Sequence, residues 1–495
     1  MFFESRKFVA IAALLSLVLL LVMSSCASSY TPAPPTTPAP PTTPAPSPTP
    51  TPSPTPAPSP TPAPTITPTP TPTAAPASDT TPPSAINGLG AADAYDGRVN
   101  LWWDKSTAED FDHYNIYISE LEIADVTGMK AMEQIKDIAT NYYQAPGLED
   151  GNEYYLAVTA VDKNGNENTK VTSTSAIPTP MPRGTTDPDF SVDIYESDRV
   201  WAGTMLFTDN HNTESPRIIE MNMLGEIIWE YLIPQNLRIS VTGVSDVELL
   251  PNNNILFVST CKGVYEIDRN GKVVWSHLTD KVSHDADRLP NGNTIFVWGF
   301  PDEMDDAQVR EVNPEGEIVW EWYCKNHFYE DPYKDIYEDG WTHTNAVTRM
   351  ANGNTLISLR NFDMVAEVDP EGAVVRKIGE GILLDIHDPE VLPNGNILGA
   401  LPVATSSAHA MEIDPNDDTV IWQFKWSREY MPEGSRDTNR LPNGNTLVVG
   451  ATHIVEVTPE CEIVWQLTQG VALDPSRIRG LGFYKADRIG TQKEG

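Results

Sequence analysis

Histidines at repeated positions are the strongest indication of chemistry in this 495-residue sequence. His284, His343 and His387 each lie shortly before a short turn sequence that recurs along the chain, and Arg360 follows one of these turns. A neutral imidazole can act as a nitrogen nucleophile or carry a proton near pH 7. Arginine can donate two hydrogen bonds to one anion. If folding brings them together, these residues would suit the transfer of an anionic group.

The recurring turns predict the elements that position the histidines. Strict Leu-Pro-Asn-Gly-Asn copies or looser variants of them occupy residues 250–254, 289–293, 350–354, 392–396 and 441–445. Asn-Gly between apolar strands predicts a hairpin with a type I′ turn. After each hairpin comes a second strand–turn–strand segment, such as residues 266–275. One repeat is therefore four antiparallel strands, which is one blade of a β-propeller.

Counting these repeats predicts the fold. The five hairpins and a first repeat at 203–232 give six blades, so residues 195–490 are expected to form an all-β, six-bladed β-propeller. The first blade lacks its own innermost strand. We expect the segment after Trp465 to supply that strand and close the ring.

The innermost strand of each blade should line the central channel, and two adjacent positions on it recur. Eight residues before the loop glycine, or before Asn253 in its place, stand Ser245, His284, Asn345, His387 and Arg436. The next positions are Asp246, Asp285, Ala346, Asp388 and Asp437. Strand side chains alternate in direction, so only one of the two sets is expected to face the channel. The variable set is predicted to form the site, and the repeated aspartates to bond backbone amides between strands.

The residues before the propeller predict export and tethering. Arg6 and Lys7 precede an apolar run, so residues 1–26 read as a lipoprotein-type signal peptide with Cys26 as the lipidated residue; an uncleaved membrane anchor is the alternative. A linker rich in Pro and Thr follows at 27–83. Either reading predicts an extracytoplasmic, membrane-anchored protein. The net charge of -36 argues against nucleic acid as a partner.

Residues 84–180 are expected to form a separate β-sandwich. The segment 99–103 alternates and carries bulky aromatic residues, and residues 154–162 form a second apolar run. This pattern resembles the fibronectin type III module, with Tyr154 at the position of its tyrosine corner.

The ring residues together resemble the bacterial aryl-sulfate sulfotransferase family. The motifs that carry the resemblance are His284-Asp285, His343-Thr344-Asn345, Arg360, His387-Asp388 and the closing segment 483–489. The resemblance implies transfer of a sulfuryl group from an aryl sulfate to a phenol, independent of a sulfonucleotide (PAPS) and without metal or cofactor. His387 would take the group covalently, and His284, His343, Asn345 and Arg360 would hold the sulfate and move protons. Arg436, from its register position, is predicted to bind substrate as well.

Aromatic residues near an insertion at 323–341 are candidates for a lid over the phenol. They are Trp298, Tyr323, Phe328, Tyr329 and Trp341.

Other functions stay open at this point. Three histidines and a carboxylate could hold a divalent ion in a hydrolase or lyase, although Arg360 and Arg436 disfavour a cation beside them. A binding propeller without enzymatic activity, displayed at the surface, is another alternative. Water could also replace the phenol as acceptor.

Overall fold

The computed structural model describes residues 79–239, 243–402, 408–427, 434–470 and 481–489. The expected signal peptide with Cys26, and the linker up to residue 78, lie outside these residues. Within the described ranges, no helix is long and apolar enough to cross a membrane.

Residues 90–176 form two antiparallel sheets. Their strands are β1 (Gly90–Asp93), β2 (Val99–Trp102), β3 (Phe111–Ser119), β4 (Glu133–Ile135), β5 (Tyr142–Ala145), β6 (Tyr154–Asp162) and β7 (Thr174–Ala176). One sheet has the order β1-β2-β5 and the other β4-β3-β6-β7. Leu101, Trp103 and Tyr114 pack in the core of this unit. The Tyr154 hydroxyl accepts a hydrogen bond from the Glu149 backbone N–H at 3.1 Å.

The rest of the described chain forms six antiparallel sheets, numbered 1 to 6 in chain order. Sheet 1 contains β8 (Thr185–Thr186), β10 (Thr204–Asp209), β11 (Arg217–Asn222), β12 (Glu226–Leu232) and β33 (Phe483–Ile489). Sheet 2 contains β13 (Val244–Leu249), β14 (Ile255–Ser259), β15 (Gly263–Ile267) and β16 (Val273–Leu278). Sheet 3 contains β17 (Val282–Arg288), β18 (Thr294–Trp298), β19 (Val309–Val312) and β20 (Ile318–Trp322).

Sheets 4 to 6 repeat this order. Sheet 4 contains β21 (Thr344–Arg349), β22 (Thr355–Leu359), β23 (Met364–Val368) and β24 (Val374–Ile378). Sheet 5 contains β25 (His387–Val391), β26 (Ile397–Ala400), β27 (Ala410–Asp414) and β28 (Thr419–Phe424). Sheet 6 contains β29 (Ser435–Arg440), β30 (Thr446–Gly450), β31 (His453–Val457), β32 (Ile463–Gln469) and β9 (Phe190–Tyr195). The short helical segments are α1 (Lys325–Phe328) and two 3₁₀ turns, Gln235–Leu237 and Arg360–Phe362.

The first strands of the sheets follow one another in a closed series. Strands β13, β17, β21, β25 and β29 contact their successors, and β33 contacts both β29 and β13. Strand β33 pairs with β10, so the late segment supplies the innermost strand of sheet 1 as the sequence predicts. The segment before the ring adds outer strands that the sequence did not predict, because β8 pairs with β12 and β9 with β32.

The predicted hairpins form, but the prediction of type I′ turns is wrong. In sheet 3 the Gly292 N–H donates to the Leu289 carbonyl at 2.9 Å. Gly292 has a positive φ of 87°, whereas Asn291 is not among the described residues with positive φ. Pro290 fixes its own φ near -65°, which is incompatible with the first position of a type I′ turn. The hairpin is therefore a type I turn followed by a left-handed glycine.

Trp201 joins the two-sheet unit to the ring. Its side chain is fully buried, and its ring centroid lies 4.6 Å from that of Tyr142 on β5. Next to it, the Ala202 N–H donates to the Gln144 side-chain oxygen at 3.1 Å. The contact of the two units is therefore packed and hydrogen-bonded.

Replacing Trp201 by Ala should lower the free energy of unfolding by about 3–5 kcal/mol, because it leaves a cavity at this contact. Urea unfolding followed by circular dichroism measures the loss. Trp275→Ala is the control, because Trp275 on β16 is only half-buried. Equal losses in the two variants would contradict a packed contact at Trp201.

Candidate active site

A β-bulge interrupts the innermost strand at His284 and at His387. The pairing register shifts between Val282 and Ala286 in sheet 3 and between His387 and Glu390 in sheet 5. His284 has a φ of 58°, which places it in the left-handed region. A bulge adds a residue and redirects the side chains beside it.

The bulge overturns the prediction that only one of the two adjacent positions faces the channel. The His284 ring lies 6.1 Å from the Tyr484 ring on β33. The neighbouring Asp285 carboxylate lies 2.6 Å from Nζ of Lys485, the next residue on the same strand. Consecutive residues of β17 therefore contact consecutive residues of β33, and both sets line the channel.

The structure brings His284, His343 and Arg360 together. The ring centroids of the two histidines are 5.3 Å apart. Nη1 of Arg360 lies 3.4 Å from Nδ1 of His343. That nitrogen is also 3.2 Å from the Glu338 carbonyl oxygen. Nδ1 can donate to the carbonyl or accept from Arg360, but it cannot do both at once.

His387 is held in one tautomer by its neighbour in the chain. Its Nδ1 lies 2.8 Å from the Asp385 carbonyl oxygen, which can only accept. Nδ1 therefore carries the hydrogen and Nε2 keeps its lone pair. Burial, with a further contribution from Arg360, lowers the pKa of His387 to about 3. The imidazole is therefore neutral at pH 7, which is the form a nitrogen nucleophile needs.

The other two histidines are neutral for the same reason. Burial first, and Arg360 second, lower the pKa of His284 to about 3 and that of His343 well below its usual range. After burial and Arg360, the charge of a protonated His284 also contributes to lowering the pKa values of His343 and His387. Nδ1 of His284 is buried and has no hydrogen-bond partner among the described residues.

Asn345 and Arg436 make hydrogen bonds to groups other than the three histidines. The Asn345 side-chain oxygen accepts a hydrogen bond from the Ser358 hydroxyl, while its buried Nδ2 has no partner in the described part of the chain. Nη1 of Arg436 donates to the carbonyl oxygens of Leu481, at 2.6 Å, and Phe483, at 2.9 Å. Arg436 therefore holds the segment that enters β33, and its binding of substrate stays a prediction.

A buried lysine and several aspartates form a layer beside the histidines. Nζ of Lys485 lies 2.6 Å from carboxylate oxygens of Asp285 and Asp388 and 3.5 Å from one of Asp246. Burial alone would lower the pKa of Lys485, but Asp285 and Asp388 raise it well above its usual range. The lysine is therefore charged in this layer.

The aspartates also join neighbouring sheets, as the sequence predicts. Asp246 accepts the Ala286 N–H at 3.0 Å, and Asp285 accepts the Val347 N–H at 2.7 Å. Burial raises the pKa of Asp246 to about 7, although Lys485 opposes the shift. Burial, followed by Asp388, raises that of Asp437 well above its usual range. A cavity of about 680 Å³ adjoins this layer and is lined by carboxylates, but none of the three histidines lines it.

Sequence reasoning missed three residues at the site: Phe300, Tyr484 and Lys485. The Phe300 ring lies 5.3 Å from that of His284 and 5.7 Å from that of His343. Strand β33 is not followed by a Leu-Pro-Asn-Gly-Asn loop, so counting back from such a loop does not reach Tyr484 and Lys485. The Ala486 N–H bonds the Asp437 carboxylate at 2.9 Å, as Ala286 bonds Asp246. Lys485 is therefore the equivalent of Asp285 in sheet 1.

The structure does not support the proposed aromatic lid at Phe328, Trp341 and Trp298. Phe328 and Trp341 are buried with Phe362 in an apolar core. Trp298 packs against Arg310, whose guanidinium carbon lies 3.4 Å from the ring centroid. Phe328 and Trp341 therefore stabilise the insertion, and the rings near the histidines belong to Phe300 and Tyr484 instead.

Part of the chain is similar to the arylsulfotransferase family. Residues 185–382 match the family model described as Arylsulfotransferase (ASST). The matched part contains His284, His343, Asn345 and Arg360, and it ends shortly before His387. No curated protein matches the chain.

Several solved structures match part of the chain at low similarity. A protein of unknown function from Bacteroides caccae is 19% identical and covers 54% of this chain and 94% of its own, with a TM-score of 0.41. A streptogramin B lyase is 10% identical and covers 58% and 88%, with a TM-score of 0.38. The extracellular domain of BT4673 from B. thetaiotaomicron is 8% identical and covers 76% and 48%, with a TM-score of 0.35. Similarities this low carry no information on activity.

The depressed pKa of His387 predicts a loss of stability at low pH. The unfolded chain binds a proton at this imidazole near pH 6.5, whereas the folded chain does so only near pH 3. Stability from this group is therefore complete above about pH 6.5 and falls toward pH 3, by up to about 1.4 kcal/mol per pH unit.

His387→Gln should remove that part of the pH dependence, and His284→Gln should act alike. Urea unfolding at pH 7, 6, 5 and 4 gives the comparison with the natural chain. Parallel curves for all three proteins would show that these imidazoles are not held neutral.

Lys485→Met should destabilise the ring, because three buried aspartates lose their cation. We expect a loss of about 3–5 kcal/mol at pH 8. Without the lysine the pKa values of Asp246 and Asp285, which burial already raises, rise further, and the pKa of Asp388, which Lys485 helps to lower, rises too. Groups with raised pKa values favour the folded state at low pH, where they are protonated, and lose this effect as the pH rises. The deficit of the variant should therefore be smaller at pH 5 than at pH 8. Lys163→Met, at an exposed lysine, is the control for unfolding measurements at both pH values. A deficit independent of pH would contradict this role.

Proposed function

We propose that this protein transfers a sulfuryl group from an aryl sulfate to a phenol through a covalent intermediate on His387, without PAPS. The observation that carries the proposal is the neutral His387 imidazole, whose Nδ1–H bonds the Asp385 carbonyl and whose Nε2 lone pair stays available. The match of residues 185–382 to the arylsulfotransferase family model supports sulfotransferase activity. The histidine nucleophile and the aryl sulfate donor are our inference.

The first half-reaction forms a nitrogen–sulfur bond and breaks a sulfur–oxygen bond. Nε2 of His387 attacks the sulfur of the aryl sulfate, and the phenolate leaves with the electron pair of the broken bond. Arg360 and the Nδ2 group of Asn345 donate to the peripheral sulfate oxygens, where charge is spread in a loose transition state. A proton from His284 or His343 neutralises the phenolate.

His284 and His343 are both neutral before substrate binds, so one of them must take up a proton from solvent as the sulfate ester binds. A bound sulfate ester brings a negative charge next to the imidazoles and favours their protonated form. In the second half-reaction an acceptor phenol returns its proton to the same imidazole. Its oxygen attacks the sulfur, the nitrogen–sulfur bond breaks and His387 is neutral again. Phe300 and Tyr484 lie beside His284, so we propose that they contact the aryl rings.

We also propose an assignment for the ring, for the two-sheet unit and for the N-terminal anchor. Six sheets whose first strands contact in a closed series are what a six-bladed β-propeller requires, here over residues 195–490. The two-sheet unit and the Tyr154 bond favour a fibronectin type III-like module at 84–180. We further propose that the module and the linker at 27–83 connect the ring to a lipid anchor at Cys26, outside the cytoplasm.

The metal-dependent alternative has less geometric support. Among the described residues, the ligand atoms that converge closely enough for an ion belong to Asp79, Asp110 and Asp162, in and next to the two-sheet unit. The three histidines of the ring do not form such a group, and Arg360 lies among them. Measurement of aryl sulfate turnover distinguishes the proposed enzyme from a binding propeller without activity.

Incubation with a chromogenic aryl sulfate, with and without an added phenol, tests the proposal. Phenol release should depend on the acceptor, and a donor-only sample should show an adduct of about 80 Da on His387. His387→Asn should lower kcat by about a thousandfold or more. His277→Gln, on the outer strand β16, should keep activity.

Release with water alone would indicate a sulfatase instead. Absence of any turnover by the natural chain would favour the binding propeller. Loss of activity on chelation, restored by a divalent ion, would favour the metal-dependent enzyme.

A further inference from the structure

Asp385 connects the two groups that face the proposed sulfuryl group. It lies two residues before His387 and has a φ of 54°, in the left-handed region. Its carbonyl oxygen accepts the His387 Nδ1–H at 2.8 Å. Its own N–H donates to the Asp363 carboxylate, also at 2.8 Å. Asp363 ends the 3₁₀ turn that begins with Arg360, and its N–H bonds the Arg360 carbonyl.

The Asp385 carboxylate also faces Arg360 directly. Its Oδ1 lies 3.6 Å from Nη2 of Arg360, and Oε1 of Glu338 lies 3.7 Å from the same nitrogen. The Arg360 side chain is 12% exposed. Two carboxylates therefore hold the largely buried guanidinium by charge.

The lengths of these contacts leave the donors of Arg360 available. Separations of 3.6 and 3.7 Å are ion pairs rather than hydrogen bonds. In the described part of the chain, the hydrogen-bond contacts of the guanidinium are made by Nη1, to the Asn361 side-chain oxygen at 3.0 Å and toward His343. Nη2 is therefore positioned by charge and makes no hydrogen bond with the described residues, so its N–H groups can bind an anion.

We propose that Asp385 is the positioning residue of this site: its carbonyl fixes His387 and its carboxylate places Arg360 for the same sulfate group. The inference rests on the proposed function for the role of His387, but its anion-binding part can be measured without turnover. The alternative is that Asp385 only stabilises a left-handed turn.

Two variants separate these alternatives. Asp385→Asn keeps the size of the side chain and tolerates the left-handed backbone, but removes the charge. Asp385→Gly keeps the backbone conformation and removes the carboxylate altogether. Asp418→Asn is the matched control, because Asp418 is also left-handed, with a φ of 58°. Its carboxylate bonds the Gly379 N–H at 2.7 Å, at the start of the connection that carries Asp385.

The first measurement follows modification of His387 by diethylpyrocarbonate, using mass spectrometry of the full chain, against increasing inorganic sulfate. In the natural chain and in Asp418→Asn, sulfate should protect His387. In both Asp385 variants, half-protection should need about tenfold more sulfate, which corresponds to about 1.4 kcal/mol of binding. Circular dichroism and urea unfolding establish that all variants are folded.

The second measurement is turnover. The KM for the aryl sulfate should rise about tenfold in Asp385→Asn, with a smaller change in kcat, because the reactive imidazole is still held by the backbone carbonyl. A natural chain that shows sulfate protection but no turnover would reject the proposed reaction and leave the positioning role supported. Equal protection in Asp385→Asn and the natural chain would overturn that role. Absence of protection in the natural chain would overturn it too, because no anion site would exist for Asp385 to organise.

Discussion

The ammonium group of Lys485 is the contact on which the centre of the ring depends. Aspartates from sheets 2, 3 and 5 reach it, and without a cation their carboxylates would repel one another in a buried place. Asp246 and Asp285 also accept a backbone N–H from the next sheet. The same layer therefore joins sheets side by side and joins them across the channel. His284 and His387 directly precede Asp285 and Asp388, so the layer fixes where both imidazoles lie.

Bulges allow two adjacent residues of one inner strand to face the channel together. In a regular strand the residue next to a channel-facing aspartate would point to the opposite face of the sheet. The register shift in β17 and the left-handed backbone of His284 turn both side chains toward the axis. A structural layer and a chemical layer can then be stacked within a few residues of the same strand. Burial by these layers, together with Arg360, keeps the histidines uncharged.

Much of the fold and part of the candidate site could be predicted from the sequence. The repeated turns gave the four strands of each sheet and the strand order, and counting back from the loop glycines reached His284, Asn345 and His387. That count assumes regular alternation, so it could not find a bulge, which depends on pairing between strands. It also could not reach Tyr484 and Lys485, because β33 has no following loop. The role of Asp385 could not be predicted either, because the contact of its carbonyl with His387 depends on the direction of the backbone and not on residue type.

The closing of the ring by β33 has a consequence for how the protein matures. Tyr484 and Lys485 reside on the ring strand that a ribosome makes last, after all the histidines. While that strand is absent, sheet 1 has an open inner edge and the aspartates of other sheets have no counter-ion. Partly synthesised or clipped chains thus contain every imidazole without the centre that arranges them. We therefore expect the histidines to reach their final arrangement only after β33 has paired with β10.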